Sequence, residues 1–153
     1  MSKKEFEDLV SNRKAFHDYE ILETFEAGIA LVGTEVKALR EHTGSLQDAY
    51  VLVDMKGDVI LKGASISPYK FGNIHNHAEK RDRKLLLHKR EIIQLQNATA
   101  QKGYALIPIA FYLKKGLIKL KIGIGKGKKN YDKRQALKER EHKKAIDRAM
   151  KDH

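Results

Sequence analysis

Residues 117–124 read LIKLKIGI, in which Ile118, Leu120, Ile122 and Ile124 alternate with Lys119, Lys121 and Gly123. A period of two belongs to a β-strand with one buried face and one wet, basic face. The stretch before it, 104–113, is rich in β-formers and ends at Lys114-Lys115-Gly116, which reads as a hairpin turn. Pro108 has no N–H to give to a ladder, so this strand is expected to have an edge or a bulge there. A second hairpin is expected from 49–54 and 58–65, joined around Lys56-Gly57. The first strand is expected over 17–25, with Tyr19, Ile21 and Phe25 on one side, and another short strand over 29–33. Two helices interrupt the strands. One is expected over 34–42, with Thr34 as its N-cap and Gly44 just past its end; the other is expected over 88–101, with Gly103 as its stop. Short strands, hairpins and inserted short helices predict a mainly β fold, a small antiparallel barrel that is OB-like in class.

Charge is unevenly spread over this chain of 153 residues. The formal net charge is +11, and 11 Lys/Arg against 5 Asp/Glu lie from Lys126 onward. More than half of the net charge thus sits in the last 28 residues. We read a boundary near Gly125, with a barrel over 1–125 and a basic tail over 126–153. The length fits one domain with one modest core. The basic balance favours a polyanionic partner, nucleic acid first. There is no cysteine, which excludes disulfides and thiolate chemistry and fits a reducing cytosol. The first residues, MSKKEFEDLV, have no apolar core of the kind a signal peptide needs, so none is expected. The apolar run 105–113 is too short to cross a bilayer.

In the tail, Asp132 followed by Gln135 is a capping-box pattern, so a helix is expected from about 132 to about 150. Its apolar residues are sparse (Ala136, Leu137, Ala145, Ile146, Ala149 and Met150), too thin a stripe to dock firmly on a barrel. The expectation is a tail that is disordered or frayed alone and helical on its target. Gly123, Gly125 and Gly127 flank Lys126, Lys128 and Lys129. One reading lets backbone amides approach phosphates there while the lysines supply charge. The other is a flexible, solvated linker. A phosphate-binding loop of the Walker type is excluded by spacing and by the lack of Ser or Thr after the lysines.

Other candidate chemistry is thin. His75 and His77 form an H-x-H in a polar loop, but no third ligand with organised spacing stands nearby, and no metal or cofactor is expected. His17 lies close to Arg13 and Lys14; packing and RNA contact are both open for it. Glu26, in FEAG, reads either as a turn carboxylate or as an acceptor for guanine or ribose edges. In 83–91, RKLLLHKRE, Leu85 and Leu87 read as buried, while the basic residues either snorkel or line a phosphate track. No nucleophile motif frames Ser, His and Asp, which argues against an enzyme.

Four stretches, FEAGIALVGTEVKALR (25–40), DRKLLLHKREI (82–92), KIGIGKGKKNYDKR (121–134) and KERE (138–141), in this order and spacing closely resemble the SmpB family of bacterial trans-translation. The resemblance runs from Asn12 to the C-terminus. It implies an OB-like barrel that binds the tRNA-like domain of transfer-messenger RNA and enters stalled ribosomes with it. There it stands in for the anticodon arm, in a complex with elongation factor Tu and the aminoacylated RNA, in the cytoplasm. By the same resemblance Glu26, Leu86 and His88 fall at RNA-contacting positions, with Arg83 and Lys84 beside them. Asn12, Arg13, Lys14, His17 and Tyr19 match a further RNA-binding segment. In the tail, Lys126, Gly127, Lys128 and Lys129 match a hinge-like basic stretch. Tyr131, Asp132, Lys133 and Arg134, with Lys138 and Arg140 beyond, match the part used at the decoding centre and mRNA channel. His88 stands where some relatives have Asn, Tyr131 where many have His, and Ala38 where Ser is common. The runner-up reading is a ribosomal protein or initiation-factor-like OB module.

Overall fold

The computed structural model describes residues 6–72 and 76–128. His75 and the tail positions Lys129, Tyr131, Asp132, Lys133, Arg134, Lys138 and Arg140 lie outside the described residues, as does the helix expected over 132–150. The elements in chain order are β1 (Phe6–Ser11), α1 (Arg13–Asp18), β2 (Tyr19–Ile29), α2 (Gly33–Arg40), β3 (Gly44–Ser45), β4 (Tyr50–Val53), β5 (Val59–Lys62), β6 (Ser65–Ile66), β7 (Arg83–Leu86), α3 (Lys89–Thr99), β8 (Tyr104–Lys114) and β9 (Leu117–Gly127). Seven strands make one antiparallel sheet in the order β1-β8-β9-β2-β7-β5-β4; β3 pairs with β6. β4 comes round to lie against β8, and α3 packs on both.

The alternation in 117–124 does what its period requires. Leu120, Ile122 and Ile124 are buried, and Lys121 is exposed. With Phe111, Leu61, Ile66 and Leu95 they form the core, and each fully buried Leu, Ile or Phe contributes about 1.5–3 kcal/mol. β8 is an interior strand, so Pro108 is accommodated by a register shift between Pro108 and Ala110 rather than by an edge. Asn12 supports that irregularity: its amide Nδ2 donates to the Pro108 carbonyl at 2.9 Å.

Several expected boundaries move. Residues 13–18 are helical, so His17 sits on α1 and not in a strand. β2 runs unbroken to Ile29, and 30–32 form no strand of their own. α2 takes Val32 as its N-cap, because the Glu35 carboxylate accepts the Val32 amide hydrogen at 2.9 Å. Thr34 is inside the helix, its hydroxyl paired with His77 Nδ1 at 2.9 Å. β9 runs on through Gly127, with Lys126 and Gly127 paired to Glu20 and Tyr19. Gly123 and Gly125 are therefore sheet residues. A Cβ on Gly123 would meet Ile109 Cδ1 at 2.7 Å and Ile21 Cγ2 at 3.2 Å, and one on Gly125 would press on Ile107 and Tyr19. These two glycines admit neighbouring side chains; neither is a linker or a phosphate cradle.

Candidate nucleic-acid interface

On the outer face of the sheet the strand register aligns Asp8, Tyr112, Lys119, Gly28 and Leu86 in one row across β1, β8, β9, β2 and β7. In the next row Glu26 stands opposite Lys121. Gly28 has no side chain, and a Cβ there would lie 3.3 Å from Leu86 Cβ. The row is thus hollow between Lys119 and Leu86. Glu26, Gly28, Leu86, His88 and Lys119 line the resulting groove, with Leu87 and Glu91 at its α3 end. Glu26 and, sixty residues later in the chain, Leu86 and His88 meet here.

β7 explains how Leu86 comes to the surface. Its burial alternates, with Arg83 and Leu85 inside and Lys84 and Leu86 outside. Leu86 is 56% exposed, unusual for a leucine in the middle of a sheet face. Lys84 lies on the same side and reaches Asp58 at 3.5 Å. His88 is the N-cap of α3; its backbone N–H donates to the Glu91 carboxylate at 3.1 Å, and the residue is exposed.

Glu26 is held firmly for a surface carboxylate. The Tyr112 hydroxyl donates to Oε1 at 2.6 Å, and Lys114 Nζ lies 3.2 Å from Oε1 and 3.3 Å from Oε2. The Tyr112 hydrogen bond is the main reason that its pKa lies below the ordinary 4.5; Lys114 and Lys119 add to the shift, and partial burial opposes it. Burial and the carboxylate together push the Tyr112 phenol up. At neutral pH the result is an anion, an acceptor with no proton to give, set among Lys114, Lys119 and Lys121. It suits a hydrogen-bond donor on a ligand whose phosphates the lysines attract.

Arg83 has another role. It is fully buried, with Nε donating to Glu35 Oε2 at 2.7 Å and Nη1 donating to the Ala64 carbonyl at 2.8 Å. Arg81 donates to the other oxygen of Glu35 at 2.6 Å. Arg83 therefore faces away from any bound phosphate, and it ties α2 to β7. His77 is likewise structural: Nε2 lies 2.8 Å from the Ile66 carbonyl. Among the described residues no group of His, Asp and Glu could hold a metal ion.

The N-terminal set lies elsewhere. Arg13, Lys14 and His17 are on α1, at the Tyr19 end of β2. The strand rise puts Tyr19 about 23 Å from Glu26. Arg13 and Lys14 are exposed, and His17 Nδ1 pairs with Asp18 at 3.0 Å. Asn12, Lys14 and Tyr19 line a second groove with Asp48 and Tyr50. The root of the tail joins this end, where Lys128 donates from its backbone N–H to Asp18 O at 2.9 Å and from Nζ to Phe16 O at 3.0 Å. The structure thus gathers the candidate residues into two clusters at opposite ends of β2. The sequence did not single out Tyr112, Lys114, Lys119 or Lys121 as site residues, although the wet lysine face of 117–124 was a signal for Lys119 and Lys121.

A family model described as SmpB protein matches residues 9–152. The chain belongs to the SmpB family. Among its relatives, the SsrA-binding protein of Protochlamydia amoebophila is 59% identical over 149 residues, covering 97% of each chain. That of Clostridium botulinum is 52% identical over 153 residues, covering 99% of this chain and 97% of the relative. A chain from a solved structure described as "tmRNA-SmpB: a journey to the center of the bacterial ribosome" superposes with a TM-score of 0.67 at 44% identity, covering 78% of this chain and 84% of that one. The mainly β fold of this family member agrees with that neighbour.

Proposed function

We propose that this chain is a non-enzymatic RNA-binding adaptor of trans-translation. It binds the tRNA-like domain of transfer-messenger RNA and carries that RNA to stalled ribosomes. The observation that carries the reading is the meeting of Glu26, Leu86 and His88 in one lysine-flanked groove, in a chain whose relatives are named SsrA-binding proteins. The groove offers a fixed anion for a donor, an exposed leucine for apolar contact with a base or sugar, and lysines for phosphates. Lys84 extends the track. Asn12 positions β1 against β8, and Arg13, Lys14, His17 and Tyr19 make a second RNA contact at the other end of β2.

In this reading the tail acts on the ribosome. Lys126 and Gly127 close β9, and Lys128 leads from it beside α1. Lys129, Tyr131, Asp132, Lys133 and Arg134, with Lys138 and Arg140, become helical in the empty mRNA channel near the decoding centre. Elongation factor Tu accompanies the aminoacylated RNA, and the work is done in the cytoplasm. Among the described residues no helix is long and apolar enough to cross a membrane.

The test is competition. Full-length protein bound to the tRNA-like domain is challenged with excess bulk tRNA at moderate salt. Binding that survives supports the adaptor reading; binding that the competitor erases reduces the chain to a generic basic RNA-binding barrel. Removing residues 129–153 should spare this binding and abolish peptide tagging. The cut belongs after Lys128, because one at Gly125 would remove paired residues of β9.

A further inference from the structure

We propose that Tyr112 is a positioning residue for RNA recognition: its hydroxyl fixes the Glu26 carboxylate so that an unused acceptor lone pair faces the ligand. This rests on the proposed RNA-binding role of the Glu26 groove. Glu26 has two χ angles before its carboxylate and is 38% exposed, so alone it would sample several rotamers. Tyr112 is different. It is 7% exposed and its ring is set in the sheet beside Lys119. A tyrosine with so little freedom gives a fixed point, and its 2.6 Å bond to Oε1 passes that fixity on to Glu26. Lys114 spans both carboxylate oxygens from β8. A carboxylate accepts at about four lone-pair sites, so acceptor capacity remains on its exposed side after these bonds. Order established before binding removes an entropy cost from the bound state.

The test is a double-mutant cycle on affinity for the tRNA-like domain RNA, using the full chain with Tyr112→Phe, Glu26→Gln and both changes. Phenylalanine keeps the ring and removes only the hydroxyl. In the parent, Tyr112→Phe is expected to weaken binding about tenfold, and in the Glu26→Gln background it is expected to change nothing. A pH profile adds a readout that packing alone would not move. Among the described residues, the charged groups around Glu26 are Lys114 on β8, Lys119 and Lys121 on β9, Asp8 on β1, and His88 and Glu91 at α3. All are common to parent and Tyr112→Phe, so the difference between the two profiles reports the hydroxyl. Without the hydroxyl Glu26 takes its proton at a higher pH, so the variant should lose affinity earlier as pH falls. If Tyr112→Phe binds like the parent, or weakens both backgrounds equally, the inference is overturned. If Glu26→Gln itself binds like the parent, the groove reading falls first and takes the inference with it. Should Tyr112→Phe fold poorly, the Glu26 side chain is followed by carbon-13 NMR in the free parent: a single rotamer is expected, and a side chain averaging over several rotamers overturns the inference.

Discussion

Two carboxylates nine residues apart, Glu26 and Glu35, show how one chemistry serves two ends. Both are paired with cations, and both have pKa values below the ordinary 4.5. Glu35 is fully buried, and burial is the largest influence on it, working against the anion. Hydrogen bonds from Arg81, the Val32 amide and Arg83 outweigh it. Glu26 is exposed, and the Tyr112 hydroxyl does most of the work there. The buried pair spends all its hydrogen-bonding capacity on the fold. The exposed one is held just firmly enough to be presented. A low carboxylate pKa therefore identifies no function; what remains accessible after the partners are counted does.

The comparison breaks most visibly at Glu35. Glu35→Ala leaves the Arg83 guanidinium buried without its carboxylate, and we expect a loss of ~3–5 kcal/mol in denaturant unfolding. If that variant is as stable as the parent, the clamp is not structural. Acid should act through the same residue. Its folded pKa is depressed, so its contribution is fully present above the unfolded value near 4.5 and is lost as pH falls through the folded one. The parent should hold its unfolding midpoint down to about pH 4.5 and fall below it, while Glu35→Gln should show a flatter acid limb.

Next comes Glu26→Gln. We expect about a tenfold loss in affinity for the tRNA-like domain, with stability changed by only ~0.5 kcal/mol. A large stability loss would make Glu26 another Glu35. Smallest is Lys121→Gln, which should weaken binding evenly across RNA sequences and lower the salt slope by about 1. An unchanged slope would remove Lys121 from the phosphate track.

The same contrast explains what was legible beforehand. The alternation in 117–124 and the turn at Lys114-Lys115-Gly116 carry local signals, and β8 and β9 appear where they were expected. α1 carries none, since six residues with one buried alanine have no period to read. Arg83 was misplaced because a charged side chain is rarely fully buried unless paired, and its partner lies 48 residues away. RKLL, two cations followed by two leucines, has no polar–apolar alternation to show which face each side chain takes. Gly123 and Gly125 resembled a linker because their function depends on Ile107 and Ile109 across the hairpin, which only the register reveals. Tyr112 lacked any sequence signal for its role, because the bond to Glu26 spans 86 residues.

The most direct test of the account is to titrate isotope-labelled full-length protein with the tRNA-like domain RNA and follow its amide resonances. The account predicts the largest shifts at Glu26, Gly28, Leu86, His88 and Lys119, with a second set at Arg13, Lys14 and Tyr19. Shifts confined to other surfaces, with the Glu26 groove unmoved, would contradict it.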